Sequence, residues 1–142
     1  MKSVKQLLGA KGGQIYSVGP DVKVLDALQL MAEKNVGALV VLEGTHLIGI
    51  FSERDYARKV ILHDKSSGEV LVREIMTSEV VTIEPERTVE ECMALVTSHR
   101  IRHLPVVEND RLLGVISIGD LVKEVIAEQE LTIRQLESYI HS

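Results

Sequence analysis

The chain has 142 residues, 45% of them hydrophobic, which is enough for one compact domain with a core of its own. A formal charge of −5 argues against a duplex-DNA binder, and with no Trp, one Phe (Phe51) and three Tyr there is no stacking platform for single strands, so nucleic acid is not an expected partner. The longest apolar stretch, Val36–Leu42, is far too short to span a bilayer, Met1–Ala10 lacks the apolar run of a signal peptide, and the single Cys92 forms no internal disulfide; the expectation is a soluble, cytoplasmic protein with no membrane partner.

In chain order, Val4–Leu8 reads as a short entry helix that ends at Gly12-Gly13. Ile15–Val18 is a β-rich entry segment that Pro20 ends. Val24, Ala27, Leu28 and Met31 have helical spacing, although Lys23 offers no side-chain cap. Gly37–Leu42 and His46–Phe51 read as two strands joined at Glu43-Gly44-Thr45, and a helix opens at Ser52. Asp64–Glu69, containing Lys65-Ser66-Ser67-Gly68, is a polar linker, and Val72–Met76 is a second short entry helix.

The order then recurs. Val80–Ile83 is an entry strand ended by Pro85, and Val89, Cys92, Met93 and Val96 have helical spacing behind the capping box Thr88-Val89-Glu90-Glu91. His103–Val107 and Arg111–Ile116 read as strands joined at Asn109-Asp110, and a helix opens at Ser117. Thr132-Ile133-Arg134-Gln135 offers a fresh cap, so Ile133–Ile140 is expected to be a separate amphipathic helix. The expected division is 1–65, 66–128 and a C-terminal extension, 129–142.

Ile15–Ile61 aligns on Val80–Ile126 without a gap, each pair 65 positions apart. Leu39/Leu104, Gly49/Gly114, Ser52/Ser117 and Asp55/Asp120 are among the identical pairs. A period of that length implies two copies of one supersecondary unit, each too small to bury its own apolar face. The first helices are apolar over about twice the stripe of roughly 100° that one contact needs, which points to a homodimer interface.

The sharpest polar recurrence is Gly-x-x-Ser-x-x-Asp, at Gly49–Asp55 and Gly114–Asp120. Ser-x-x-Asp at a strand–helix junction is a capping box. The same place offers free N–H groups to a phosphate, the carboxylate suits the two hydroxyls of a ribose, and the glycine lets a ligand approach the backbone. His99 and His103, four apart, lack further ligands for a metal site, and no metal is expected. Cys92 replaces Ala27 of the first copy and reads as core.

The doubled unit, its Gly-x-x-Ser-x-x-Asp ends and the Arg73-Glu74-Ile75-Met76-Thr77 entry to the second copy closely resemble a tandem cystathionine-β-synthase (CBS) domain pair of the stand-alone type, over about Val4–Glu128. The resemblance implies an α+β fold of two β-α-β-β-α repeats, packed sheet to sheet about a pseudo-twofold axis with flanking helices. It also implies clefts for an adenosyl ligand: AMP, ADP, ATP, NAD or S-adenosylmethionine. Carried over by motif, Asp55 and Asp120 would bind ribose hydroxyls, with Ser52 and Ser117 beside the ribose or first phosphate. Ser17, Val18, Thr82 and Ile83 would meet the adenine edge, and Val36, Gly37, Ala38, Ile101, Arg102 and His103 would line the base pocket. Arg54 and Arg58 in the first copy, against Gly119 and Lys123 in the second, imply unequal phosphate sites. The expected role is a nucleotide sensor without catalysis, read by a downstream protein through its C-terminal helix. The alternative is a dimerisation scaffold in which Ser and Asp only cap helices.

Overall fold

The helical and strand periodicities become twelve elements in the computed structural model, which describes residues 2–12, 14–62 and 68–141. They are α1 (Val4–Lys11), β1 (Ser17–Val18), α2 (Val24–Lys34), β2 (Ala38–Glu43), β3 (His46–Ser52), α3 (Glu53–Tyr56) with a π-helical turn after it (Ala57–Ile61), α4 (Val72–Ile75), α5 (Val89–His99), β4 (His103–Glu108), β5 (Arg111–Ser117) and α6 (Ile118–His141). The chain forms two compact units. The first-repeat unit comprises Gln14–Val81 with Asn109–Leu112, and the second-repeat unit comprises Met1–Gly13 with Thr82–Glu108 and Leu113–Ser142.

The first-repeat unit is built on a three-stranded sheet in the order β1-β2-β3. β1 pairs parallel to β2, Ser17 opposite Val40 and Val18 opposite Val41. β2 and β3 form an antiparallel hairpin with Ala38 opposite Ser52 and a bulge at Val41/Leu42. Gly44 takes a φ of +63° in its turn, where glycine carries no Cβ penalty. α2 lays Val24, Ala27 and Met31 on this sheet, against Leu39, Val41 and Phe51. Lys23 precedes α2 without a side-chain cap, as its chemistry dictates.

In the second repeat β4 and β5 pair through Asn109 and Asp110, both left-handed at φ 52° and 62°, a conformation that Asn and Asp tolerate best after glycine. The entry segment makes a single bridge rather than a paired strand: Ile83 lies parallel to Val106, its N–H donating to the Pro105 carbonyl at 3.0 Å. Thr88 caps α5 through the expected box with Glu91. Cys92 is buried, and burial with the nearby Glu91 charge pushes its thiol up to about 11, so it packs as core.

Three expectations are corrected. The expected division places the N-terminal helix with the first repeat, inside 1–65, and α1 belongs instead to the second-repeat unit. Its Val4 and Lys5 N–H groups donate to the Arg87 and Pro85 carbonyls at 2.8 and 2.9 Å. α4 makes the matching bonds in the first-repeat unit, from Val72 and Arg73 to the Val22 and Pro20 carbonyls, although it falls inside 66–128. The separate helix from Ile133 does not exist. α6 runs unbroken because Thr132 bonds back to the Glu128 carbonyl at 3.1 Å instead of capping, and nothing after Gly119 breaks a helix. Of the linker, 64–67 lies outside the described residues.

The recurring glycines also have a structural reason of their own. A Cβ at Gly49 would stand 2.6 Å from Met76 Sδ and 3.1 Å from the Thr77 carbonyl oxygen, and one at Gly114 would stand 2.8 Å from Leu8 Cδ2. Each glycine makes room for an entry-helix side chain. Leu8 can rotate its methyl away, whereas the Thr77 carbonyl cannot move without its strand bridge to Ile50. Gly49→Ala is expected to cost about 1–3 kcal/mol and Gly114→Ala less, read as shifts of the urea unfolding midpoint. Equal costs would show that the entry helices seat alike in the two units.

Candidate functional site

In the first-repeat unit Ser52 ends β3 in extended conformation and caps α3. Its hydroxyl accepts the Asp55 N–H at 3.1 Å, and Asp55 Oδ2 accepts the Ser52 N–H and the Ser52 hydroxyl, each at 3.1 Å. Oδ1 accepts the Thr77 hydroxyl at 3.1 Å and lies 3.3 Å from Lys59 Nζ. Asp55 is only 9% exposed, the single buried charged side chain among the described residues. That burial is tolerable because the carboxylate meets a cation and three N–H or O–H donors.

The surrounding backbone follows from the register. The Glu53 N–H donates to the Gly37 carbonyl at 3.1 Å, which holds the start of β2 beside the motif. The structure therefore brings Ser52 and Asp55 together with half-buried Gly37 and Ala38, while Val36 precedes them. Ser17 and Val18 sit farther along β2, opposite Val40 and Val41. Arg54 and Arg58 are exposed on the helical segment after the motif.

The second-repeat unit repeats the box and changes the partner. Ser117 Oγ accepts the Asp120 N–H at 3.1 Å, and Asp120 Oδ2 accepts the Ser117 N–H at 2.8 Å. Lys11, at the end of α1, donates to Asp120 Oδ2 at 2.6 Å and to the Val115 carbonyl at 2.7 Å. The Ile118 N–H donates to the Arg102 carbonyl at 2.8 Å, so the Ile101-Arg102-His103 segment is held at the motif as Gly37 is in the other unit. Lys123 is exposed one turn along α6.

Two titrations follow from this arrangement. Burial alone would raise the Asp120 carboxyl, and it is the largest single influence; the Lys11 ammonium and the Ser117 donors together outweigh it and hold the group below the usual carboxylate range. His103 is pushed down from the usual imidazole value, first by burial and then by the Lys11 and Arg102 charges, with Asp120 opposing. A neutral imidazole thus stands beside a lysine and an ion-paired aspartate.

An open pocket of about 500 Å³ lies elsewhere in the second-repeat unit, lined by the entry segment and α5, including Thr82, Ile83, Arg87, Glu91 and Ser98. The expected adenine-edge residues Thr82 and Ile83 border this pocket, whose lining includes neither Ser117 nor Asp120.

Reading the sequence missed Lys11, Thr77 and Lys59. Lys11 and Thr77 lie outside the aligned repeats, and only the seating of α1 and α4 delivers them to Asp120 and Asp55. Lys59 carried a legible signal, a cation four residues after Asp55 on a helical segment.

A paired α/β repeat with a capped carboxylate at each strand–helix junction defines a two-repeat α/β module. The family model for the CBS domain matches residues 13–62 and 72–127, and the chain belongs to the CBS-domain family as a domain pair. It is 43% identical over 136 residues to the mitochondrial CBS domain-containing protein CBSX3 of Arabidopsis thaliana, covering 92% of this chain and 66% of that protein. A proposed signal-transduction protein with CBS domains from Burkholderia ambifaria MC40-6 is 53% identical, with a TM-score of 0.87 over 90% of this chain and 96% of its own. The CBS-domain structure of NE2398 is 48% identical, with a TM-score of 0.86 over 89% and 99%. No helix among the described residues is long and apolar enough to cross a membrane.

Because the folded Asp120 carboxyl lies below its unfolded value of about 3.9, the unfolded chain binds its proton first on acidification. The stability contributed by the Lys11–Asp120 pair is therefore complete above about pH 5 and is lost as pH falls through the folded value. Unfolding curves of wild type and Asp120→Asn are expected to differ at pH 7 and to converge towards pH 2. A constant gap would mean the pair contributes nothing through its charge.

Proposed function

We propose that this CBS pair is a sensor that binds an adenine nucleotide, AMP, ADP, ATP or NAD, at its Ser-x-x-Asp motifs, without catalysis of its own. The observation that carries the reading is the state of the two carboxylates. Among the described residues the Lys11 ammonium and the Ser117 N–H both donate to Asp120 Oδ2, so Oδ1 is the oxygen that would accept a ribose hydroxyl. Charge-assisted bonds of that kind contribute about 1.5–3 kcal/mol each. Lys11 Nζ, beside the N-terminus of a long helix, supplies a cation that a phosphate can take up.

At Asp55 both oxygens are already engaged by Ser52, Thr77 and Lys59. A ligand there must displace Thr77 or Lys59 first, so the second repeat is the tighter site. The saturated Asp55 also supports the rival reading at that one position, a capping carboxylate in a scaffold. The proposal further takes the chain as a cytoplasmic homodimer through the broad faces of α2 and α5, on which Leu25 is exposed and Leu28, Leu30, Met93 and Leu95 are half-buried. A downstream protein would read the bound state.

The test is thermal unfolding of the pure protein with millimolar AMP, ADP, ATP, NAD and S-adenosylmethionine. One of them is expected to raise the midpoint by roughly 5–10 °C if its concentration is near a hundred times Kd. Asp120→Ala is expected to abolish the shift and Asp55→Ala to leave most of it. A shift lost in Asp55→Ala and kept in Asp120→Ala would reverse the order of the sites; no shift with any nucleotide leaves the scaffold.

A further inference from the structure

α6 is 24 residues long, about 36 Å, yet Leu121 is its only buried side chain. Near its start it packs against α5, with Glu124, Val125 and Glu128 half-buried, whereas every residue from Gln129 to His141 is exposed. A single helix exposed on all sides is marginal in water and needs an apolar partner to be stable. The apolar residues of α6 are arranged for one. Val122, Ile126, Ile133, Leu136 and Ile140 are 41–74% exposed. With Gln129 they step by four and three residues in strict alternation, the seam of a two-stranded coiled coil, within an arc of about 80° at 100° per residue. Leu131 lies on another face.

We propose that α6 pairs antiparallel with α6 of a second copy of this chain. One register seats the whole seam. Val122 meets Ile140 of the second copy, Ile126 meets its Leu136, and Gln129 meets its Ile133. The flanks of that register agree. Lys123 lies beside Glu137 of the second copy, twice by symmetry, and half-buried Val125 lies beside its Tyr139. Glu130 faces its own copy once at the centre, a cost that the two Lys–Glu pairs outweigh. A parallel pair in register sets Glu130 and Glu137 beside Val125 and Thr132, with no opposite charges to match, so charge selects the antiparallel form. In that form the overhang of each helix lies on the anchored first half of the other, which covers the exposed stretch from Gln129 to His141. This contact uses neither the α2 and α5 faces nor the two Ser-x-x-Asp boxes; Lys123 is shared with the expected phosphate site, so the cysteine pair at Val122 and Ile140 is the test that is independent of both.

The experiment uses the full chain with Cys92→Ala, the residue that the first repeat carries at the equivalent position. Val122→Cys and Ile140→Cys are oxidised separately and mixed, and the products are resolved without reductant. Mixing is expected to yield a disulfide-linked dimer that neither variant forms alone. By sedimentation equilibrium, Lys123→Glu is expected to weaken self-association about tenfold, and adding Glu137→Lys to restore it. Linkage of each variant to itself would mean parallel helices and overturn the register. A dimer that persists with no linkage and no response to Lys123→Glu would place the interface elsewhere. A monomer with α6 exposed would assign the seam to a partner of another sequence.

Discussion

Each unit depends on one contact: a glycine in the last strand of the hairpin leaves room for one entry-helix side chain. Met76 fills the space at Gly49, and Leu8 fills it at Gly114. The seated helix closes the core, with Val72 and Ile75 buried in one unit and Val4 and Leu7 in the other. It also sets where the chain goes next, and that decides what reaches the motif carboxylate.

From that point the two units diverge. After α4 the backbone becomes extended, bridges Ile50 and presents the Thr77 hydroxyl to Asp55. α1 continues for a further turn and presents the Lys11 ammonium to Asp120. A neutral donor with Lys59 behind it leaves Asp55 buried and saturated. A lysine at the half-exposed Asp120 bonds Oδ2 and adds to the burial that depresses the neighbouring His103. Identical motifs thus become chemically different sites through Lys11 and Thr77, which lie outside the repeat, and through Lys59, whose counterpart in the second copy is Glu124.

The same logic separates the two ends of α6. Its first turns have a body to pack on, with Leu121 buried where the first copy has half-buried Tyr56, and Val125 half-buried where it has buried Val60. Its remaining turns have no counterpart in the first repeat, where the helix ends in a π-helical turn at Ile61. The apolar seam continues into that added length, which gives the extension a role of its own rather than a frayed end.

What the sequence determined alone was local or repeated: the two copies, the hairpins at Gly44 and at Asn109-Asp110, the Thr88 cap, the uncapped Lys23 and the Ser-x-x-Asp boxes. Each rests on residues within a few positions of one another, so periodicity and side-chain chemistry suffice to read it. The tertiary structure alone decided which unit receives which entry helix, that Lys11 and Thr77 complete the two motifs, that the recurring glycines serve packing, and that α6 runs through Thr132. Those outcomes depend on where segments up to 109 positions apart meet, as Lys11 and Asp120 do. Two entry helices of similar apolar pattern can each seat on either strand as far as local chemistry goes, and only the closed cores distinguish them.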